Sequence, residues 1–243
     1  GERKMEIKSR KARWIALALT TGMVLTANGV ATPAQAAEKK LTIGFVVHVI
    51  GNPFINQIID GAKAAAKDLK ITLKVTGPAG AEGDAQLTAV QNLAAVGVDG
   101  IATSVPSASM MKGLNAVIKA GTPIVQFNGF VDGVNAPYVG EKSVESGRLL
   151  GKMVLEKIGG ASAKGSVIMG NCFPGFPVLE NRSKGVQESL AKAPGIKIIG
   201  PSDVKVDAAA NFAAWQGLLA ANPDALAMVG LCAPDVESIG KVN

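Results

Sequence analysis

The chain is poor in the residues on which most catalytic sites are built. Its 243 residues include one histidine, two cysteines, one tyrosine and two tryptophans. His48 has no nucleophile or metal-ligand partner close to it in the sequence, and the carboxylates show no paired spacing. The sequence lacks a G-x-G-x-x-G turn after the first predicted strand, a Walker loop, a G-x-S-x-G elbow and an HExxH motif. We therefore expect no catalysis, no cofactor and no metal.

Positive charge is concentrated in the first 36 residues. The net charge is +6, from 25 Lys and Arg against 19 Asp and Glu, but residues 1–36 hold six of the basic and two of the acidic residues. The remainder is close to balanced, with 19 basic and 17 acidic residues. It shows no basic stripe with interleaved aromatics, so we expect no nucleic-acid binding.

Residues 1–36 have the pattern of a cleavable signal peptide. A positively charged start is followed by the apolar run WIALALTTGMVLTANGVA and by the small-residue triplet AQA, which ends at Ala36. We predict cleavage after Ala36, with cleavage after Ala37 as an alternative. An uncleaved membrane anchor is the other interpretation, because about 18 residues nearly span a bilayer. Export would place both cysteines in an oxidising compartment.

Short apolar runs alternate with segments of helical period in the rest of the chain. The first four runs begin about 24–30 residues apart, which is the length of a βα unit. The predicted strands cover residues 41–47, 71–75, 100–105, 123–127, 138–140, 165–170, 196–200 and 225–230. Three predicted helices begin at caps supplied by Asn52, Asp84 and Ser107, and two more start at Ser143 and Asp207.

This alternation predicts an α/β fold. Strands that are buried on both faces and linked by helices form parallel, doubly wound sheets. Five strands come before a Gly-rich linker at 159–165, and three come after it. We therefore predict two Rossmann-like lobes, residues 37–142 and residues 143–243, of which the second is incomplete. The sequence is then expected to be a piece of a longer protein.

The polar and aromatic residues gather at the carboxyl ends of the predicted strands, where doubly wound sheets bind ligands. The loops there are 48–52, 76–83, 104–107, 128–133, 171–177 and 231–235. Cys172 and Cys232 follow the first and third strands of the second lobe, which are neighbours if the strand order is 2-1-3. Their ends then lie close enough for a disulfide, with two buried thiols as the alternative.

An ordered series of segments resembles a known family. The segments, in chain order, are IGFVVHVIGNPFINQIIDGAKAAAKDL, GPAGAEGDAQLTAVQNLAAVGVDGIATSV, GTPIVQFN, VESGRLLGKMV and ENRSKGVQESL. In this order they resemble the periplasmic sugar-binding proteins of ABC importers, in the type I, ribose-binding-like group. The resemblance implies two lobes joined by a hinge, a sugar bound between them, and a closed form that docks on a membrane permease.

The resemblance also implies ligand contacts for particular residues. The NPF loop of the family supplies an amide and an aromatic, which match Asn52 and Phe54. The second lobe supplies an arginine that matches Arg182. The family's Asn-Asp pair after the third strand of that lobe lines up near Asp235, with one residue of slippage.

Several departures from the family pattern argue against assigning the family's ligand to this chain. The Asp-Arg pair that usually ends the fourth strand is replaced by Asn128-Gly129, and Ile55 stands where a second aromatic usually follows. The pieces GPAGAEGDAQ and CAPD look closer to the rhamnose- and quorum-signal-binding branch. That branch uses a cation in the first loop and an acid at position 128, and neither is present. The resemblance therefore does not name the sugar.

Most of the candidate residues also have a purely structural interpretation. Asn52 and Asp235 could cap helices, and Arg182 could form a surface ion pair. His48 could face the ligand or satisfy a loop carbonyl, and the phenylalanines could stack on a sugar or pack in a core. The candidate ligand-binding residues are His48, Asn52, Phe54, Ser104, Asn128, Phe173, Phe176, Arg182 and Asp235.

Together these features predict an exported binding protein. It would capture a monosaccharide or related polyol between two lobes in the periplasm and deliver it to an ABC transporter permease in the inner membrane. We expect a monomer. The alternatives are a sugar-sensing module for chemotaxis or signalling, and the binding of a small signal molecule that is not a sugar.

Overall fold

The computed structural model describes residues 40–80 and 82–242 of the chain. The predicted signal peptide, with its cleavage site at Ala36 or Ala37, lies outside the described residues. Among the residues that are described, no helix is both long enough and apolar enough to cross a bilayer.

In the described part of the chain, five parallel strands form a first sheet. They are β1 (Thr42–Val46), β2 (Thr72–Thr76), β3 (Gly100–Thr103), β4 (Ile124–Phe127) and β5 (Tyr138–Val139). Their spatial order is β2-β1-β3-β4-β5, and each neighbouring pair is parallel. The connecting helices are α1 (Pro53–Asp68), α2 (Gly83–Ala95) and α3 (Met111–Lys119). The carboxyl ends of all five strands therefore meet at one edge.

Helices cover both faces of this sheet. On one face, Val90 of α2 and Leu114 of α3 belong to a buried apolar cluster that includes β1 and β3 residues. On the other face, Ile55 and Ile59 of α1 pack with the aromatic rings of the sheet. Each such side chain contributes roughly 1.5–3 kcal/mol when fully buried. Two covered faces explain why these strands are largely apolar rather than alternating.

A second sheet contains β6 (Lys164–Asn171), β7 (Gly195–Asp203) and β8 (Ala227–Gly230) in the order β7-β6-β8, again parallel. Its helices are α4 (Ser143–Lys157), α5 (Pro177–Leu190), α6 (Ala208–Ala221) and α7 (Ala233–Val242). The core of this lobe surrounds Trp215, which is fully buried. The chain passes from the first sheet to α4 through residues 140–142.

Glycines allow α4 and α5 to pack with their backbones in contact. A Cβ atom on Gly147 would collide with the carbonyl oxygen of Arg182, and one on Gly151 would lie 2.7 Å from the carbonyl oxygen of Val186. Gly185 of α5 has the same role towards α4. This close approach fixes the position of α5, which carries Arg182, relative to α4.

The predicted fold class is confirmed, and all eight predicted strands are present within a few residues of their predicted bounds. The 2-1-3 strand order is found in both sheets. Asn52, Ser143 and Asp207 start helices as predicted. Ser107 caps a short 3-10 turn that leads into α3. The predicted cap at Asp84 is wrong, because α2 already begins at Gly83 and Asp84 lies in its first turn.

Candidate ligand-binding site

A cavity of about 610 Å³ lies between the carboxyl ends of the two sheets. The loops after β1, β2 and β4 line it from the first lobe, and the loops after β6 and β8 with the start of α5 line it from the second. The candidate residues that line this cavity are His48, Asn52, Phe54, Asn128, Phe173, Phe176 and Arg182. The candidates Ser104 and Asp235 do not line it.

Asn52 caps α1 and faces the cavity with the same side chain. Its Oδ1 accepts hydrogen bonds from the backbone N–H groups of Phe54, at 2.9 Å, and Ile55, at 3.3 Å. These two bonds fix the orientation of the amide. Its Nδ2 has no hydrogen-bond partner in the described part of the chain. The cap uses the amide oxygen of Asn52, and the residue also lines the cavity.

Asn128 is held by its backbone and leaves its side chain unbonded. Its φ of 56° lies in the left-handed region, which asparagine tolerates better than most residues. The backbone N–H donates to the Val139 carbonyl at 3.2 Å, and the carbonyl oxygen accepts from the Tyr138 hydroxyl at 3.1 Å. The amide of the side chain forms no hydrogen bond with the residues described. It lines the cavity with one donor group and one acceptor atom available.

Phe176 of the second lobe crosses to the first lobe. Its ring centroid lies 5.3 Å from that of His48, and a Cβ atom on Gly129 would lie 2.5 Å from the ring. The ring therefore occupies the space that a side chain at position 129 would need. An arginine at position 129, which the resemblance implied, would not fit beside this ring. Phe176 is also part of the second-lobe core, which agrees with the packing interpretation, and its stacking on a sugar stays a prediction.

His48 is a buried imidazole. Its Nδ1 lies 3.0 Å from Ser104 Oγ, and burial lowers the pKa of the ring from 6.5 to about 4. The ring is therefore neutral at neutral pH. Ser104 is itself fully buried behind the ring, so it orients His48 and is out of reach of a substrate. The pair is thus not placed to act as a nucleophile and its base.

Arg182 is held by two partners at the cavity wall. Its guanidinium donates to the carbonyl oxygen of Leu231 and to the carboxylate of Glu141. Leu231 lies at the end of β8, whereas Glu141 lies where the chain leaves the first lobe. Arg182 thus forms the expected ion pair and also lines the cavity.

Asp235 lies behind the cavity wall. One carboxylate oxygen accepts from Asn211 Nδ2 at 2.8 Å and from Trp215 Nε1 at 3.0 Å, and the other accepts from the Cys232 N–H at 2.8 Å. The residue is fully buried. The structure therefore brings Asp235 to the core of the second lobe, not to the other candidates. Two buried side-chain donors and one partly buried N–H hold it there, and no pattern in the sequence indicated Asn211 or Trp215 as partners.

A disulfide joins Cys172 and Cys232, whose Cα atoms are 6.0 Å apart. Both cysteines line the cavity. The bond connects the loop after β6 to the turn before α7. Glu180 braces the same loop, because one of its oxygens accepts from Asn171 Nδ2 at 3.0 Å and from the Gly175 N–H at 2.8 Å.

Sequence reasoning missed the aliphatic part of the lining. Val178 and Leu179 at the start of α5 and Val206 after β7 contribute to it. The spacing of Leu179 and Arg182, three residues apart in a helix, places them on one face and could have identified Leu179. Val206 carries no such signal.

The lining contains donors and apolar surface but no pair of groups for bond-making chemistry. Within residues 40–80 and 82–242, no three His, Cys, Asp or Glu side chains are placed to hold a metal ion. The arrangement is suited to binding a small molecule.

Comparison with solved structures shows the same fold in solute-binding proteins. A periplasmic solute-binding protein of an ABC transporter from Actinobacillus succinogenes, with bound D-allose, is 24% identical, with a TM-score of 0.74 over 83% of this chain and 74% of that one. A solute-binding protein from Burkholderia graminis in complex with D-arabinose is 22% identical, with a TM-score of 0.77 over 83% and 69%. GanP, a glucose-galactose binding protein from Geobacillus stearothermophilus, is 25% identical, with a TM-score of 0.74 over 84% and 73%.

The family comparison covers most of the chain. Residues 43–242 match the periplasmic binding protein domain. This family and the structures above are binding proteins, not enzymes, which agrees with the prediction of no catalysis. The chain belongs to the periplasmic binding proteins, which hold solutes outside the cytoplasmic membrane.

Proposed function

We propose that this protein captures a monosaccharide in the cavity between its two sheets and delivers it to the permease of an ABC transporter in the inner membrane. The observation that carries the proposal is the cavity itself, which is lined from both sheets at their carboxyl ends. Its volume of about 610 Å³ falls within the range of small-molecule sites, roughly 300–1,000 Å³. The similar structures with D-allose and D-arabinose support a sugar as the solute.

The lining supplies the groups that sugar recognition needs. The amides of Asn52 and Asn128 and the guanidinium of Arg182 can bind oxygen atoms. Phe54, in the first turn of α1, and Phe173, in the loop after β6, offer ring surfaces for the C–H face of a sugar. These roles of the individual residues are part of the proposal.

We further propose that the lobes, residues 37–142 and 143–243, close on the ligand. A solute that contacts both walls binds the closed form more tightly than the open form and shifts the equilibrium towards it. The closed form would be the one that the permease recognises. Small-angle scattering should show compaction when a bound sugar is present, and an unchanged radius of gyration with saturating ligand would contradict closure.

The first test is a thermal-shift screen of pentoses, hexoses, deoxysugars and polyols. A tight ligand raises the melting temperature by mass action. The Arg182→Ala variant should lose most of this shift, because Arg182 lines the cavity. The matched control is Arg148→Ala, which removes an arginine from an exposed ion pair with Glu188 and should keep the shift. If no sugar in the screen stabilises the protein, sugar capture is refuted.

Delivery to a permease needs a separate test in cells. Deletion of the gene should abolish high-affinity uptake of the sugar found in the screen, and the intact gene should restore it. Unchanged uptake, together with a lost response to the sugar, would favour a sensory role over transport.

A further inference from the structure

The ring of Phe176 bridges the two lobes. In the second lobe it belongs to the buried core, and its centroid lies 5.5 Å from that of Phe173. In the first lobe the His48 ring lies 5.3 Å from it, and Gly129 lies beside it. Phe176 is 5% exposed, so the ring is enclosed by residues of both lobes. The packing of Phe176 against His48 and Gly129 is called the interlobe contact below.

The first-lobe side of the interlobe contact is held in place by its own lobe. His48 Nδ1 lies 3.0 Å from Ser104 Oγ, and Ser104 is fully buried. The carbonyl oxygen of Gly129 accepts a hydrogen bond from the Val105 N–H at 3.0 Å. Because both positions are fixed within the first lobe, the Phe176 ring occupies a recess whose walls are formed in advance.

The recess exists because position 129 has no side chain. A Cβ atom on Gly129 would lie 2.5 Å and 2.6 Å from two carbons of the Phe176 ring, and 3.1 Å from the Val105 carbonyl oxygen. The φ of Gly129 lies outside the left-handed region, so its backbone conformation does not itself require glycine. The ring from the other lobe is therefore the main obstacle to a side chain at this position.

The interlobe contact favours a closed arrangement of the lobes. Separation of the lobes would withdraw the ring from His48 and Gly129 and expose apolar surface to water, which is unfavourable. The cavity of about 610 Å³ is open while the ring occupies its recess, and Phe176 itself lines it. The interlobe contact and a solute can therefore favour the same closed arrangement without competing for space.

We propose that the interlobe contact holds the lobes closed and thereby sets the affinity for the solute through the open–closed equilibrium. This inference rests on the proposed function, with its closure of the lobes, and adds a residue that determines affinity without lining the cavity, Gly129. The apparent dissociation constant is the intrinsic constant of the closed form divided by the fraction of protein that is closed. Loss of the interlobe contact lowers that fraction and so weakens binding.

The first test needs no sugar. Small-angle scattering of the whole chain should give a larger radius of gyration for Gly129→Ala than for the unsubstituted protein, because the added methyl group keeps the ring out of its recess. The matched control is Gly61→Ala, which adds a methyl group to α1 in open space and should leave the radius unchanged. Equal radii for all three proteins would overturn the inference and leave sugar capture standing.

A second substitution separates lobe opening from a loss of folding. Phe176→Leu removes the two ring carbons that the methyl group of Gly129→Ala would meet. The double variant should therefore regain the smaller radius, whereas a change in the second lobe would not rescue a first lobe damaged by Gly129→Ala. A double variant as expanded as Gly129→Ala would contradict the role of the interlobe contact.

Affinity is the third measurement, with the sugar that raises the melting temperature most in the screen. Calorimetric titration should show about tenfold weaker binding for Gly129→Ala, which is the scale of an overpacked methyl group, and recovery in the double variant. Unchanged affinity in an expanded Gly129→Ala protein would overturn the link between the interlobe contact and affinity. If no sugar in the screen binds, sugar capture fails, and the sugar-free scattering alone decides whether the contact holds the lobes closed.

Discussion

The two walls of the cavity differ in how firmly their side chains are held. On the first-lobe wall, Asn52 and Asn128 have side-chain donors without partners among the described residues, and Phe54 is 42% exposed. On the second-lobe wall, Arg182 has two partners and a disulfide joins Cys172 to its neighbouring loop. The first wall can thus donate hydrogen bonds to a ligand, and the second is formed in advance.

Because of this difference, substitutions on the two walls should affect different quantities, stability on one and affinity on the other. Side chains that are already ordered lose little conformational freedom when a ligand binds, so a preformed wall favours affinity. Phe176 and the disulfide belong to the core of the second lobe, so substitutions there should mainly reduce stability, whereas Arg182 also lines the cavity and its removal should mainly reduce affinity. Substitutions on the first wall should mainly reduce affinity. Four experiments test whether substitutions on the two walls differ in this way, and the largest effect is expected for the first.

The largest effect is expected for Asp235→Ala. The substitution leaves the buried Trp215 Nε1 without its acceptor, removes one of the two acceptors of Asn211 Nδ2, and leaves the partly buried Cys232 N–H without its carboxylate partner. We expect a loss of about 3–5 kcal/mol in the free energy of unfolding, measured by urea unfolding with tryptophan fluorescence. The control Asp224→Ala, at an exposed position, should change it by less than about 0.5 kcal/mol. Similar small effects for both variants would contradict the buried role of Asp235.

Substitutions of Phe176 and Phe54, one on each wall, give the most direct comparison of the walls. Phe176→Ala removes a ring that is 5% exposed and packed in the second-lobe core, so we expect a loss of about 3–4 kcal/mol in stability. Phe54→Ala removes a half-exposed ring and should cost less than about 1 kcal/mol, while weakening sugar binding by about tenfold. Thermal unfolding and calorimetric titration of both variants measure the two quantities. The division between walls fails if Phe54→Ala is the more destabilising change.

The contact between α4 and α5 can be tested with a pair of glycines. Gly147→Ala places a methyl group against the backbone of Arg182, and we expect a loss of about 2–3 kcal/mol. Gly217 in α6 has open space around it, so Gly217→Ala should stabilise the protein by about 0.5–1 kcal/mol through helix propensity. Opposite signs in thermal unfolding are the predicted outcome. If Gly147→Ala left the free energy of unfolding unchanged, α4 and α5 would not depend on this close backbone contact.

His48 lies on the first wall but is buried and paired with Ser104, unlike its neighbours there. Its lowered pKa predicts that stability depends on pH. Its folded pKa of about 4 lies below the unfolded value of 6.5, so the unfolded chain binds the proton first as the pH falls. The contribution of the neutral His48 ring to the free energy of unfolding is fully present above pH 6.5 and is lost as the pH falls from 6.5 towards 4. Between pH 7 and pH 5 we expect a loss of about 1–2 kcal/mol, which His48→Asn should largely remove. Parallel profiles for the two proteins would show that His48 is not the cause.

The sequence predicted the parts of the structure that local patterns determine. The apolar runs gave the strands, and Asn52 with Pro53 gave the start of α1 because a cap acts within three residues. The strand order then predicted correctly that the loops carrying Asn52 and Asn128 lie at the same edge of the first sheet.

The sequence did not predict contacts between distant residues. The hydrogen bonds of Asp235 with Asn211 and Trp215 depend on how α6 packs beside α7, and the position of Phe176 against Gly129 depends on how the lobes meet. Neither leaves a periodic signal in the sequence.

The most direct test of the central claim is a crystal structure of the protein with the sugar that stabilises it most. We predict that the sugar occupies the cavity between the sheets and lies within hydrogen-bonding distance of Asn52, Asn128 and Arg182. A sugar bound at another surface, with this cavity left empty, would contradict the account.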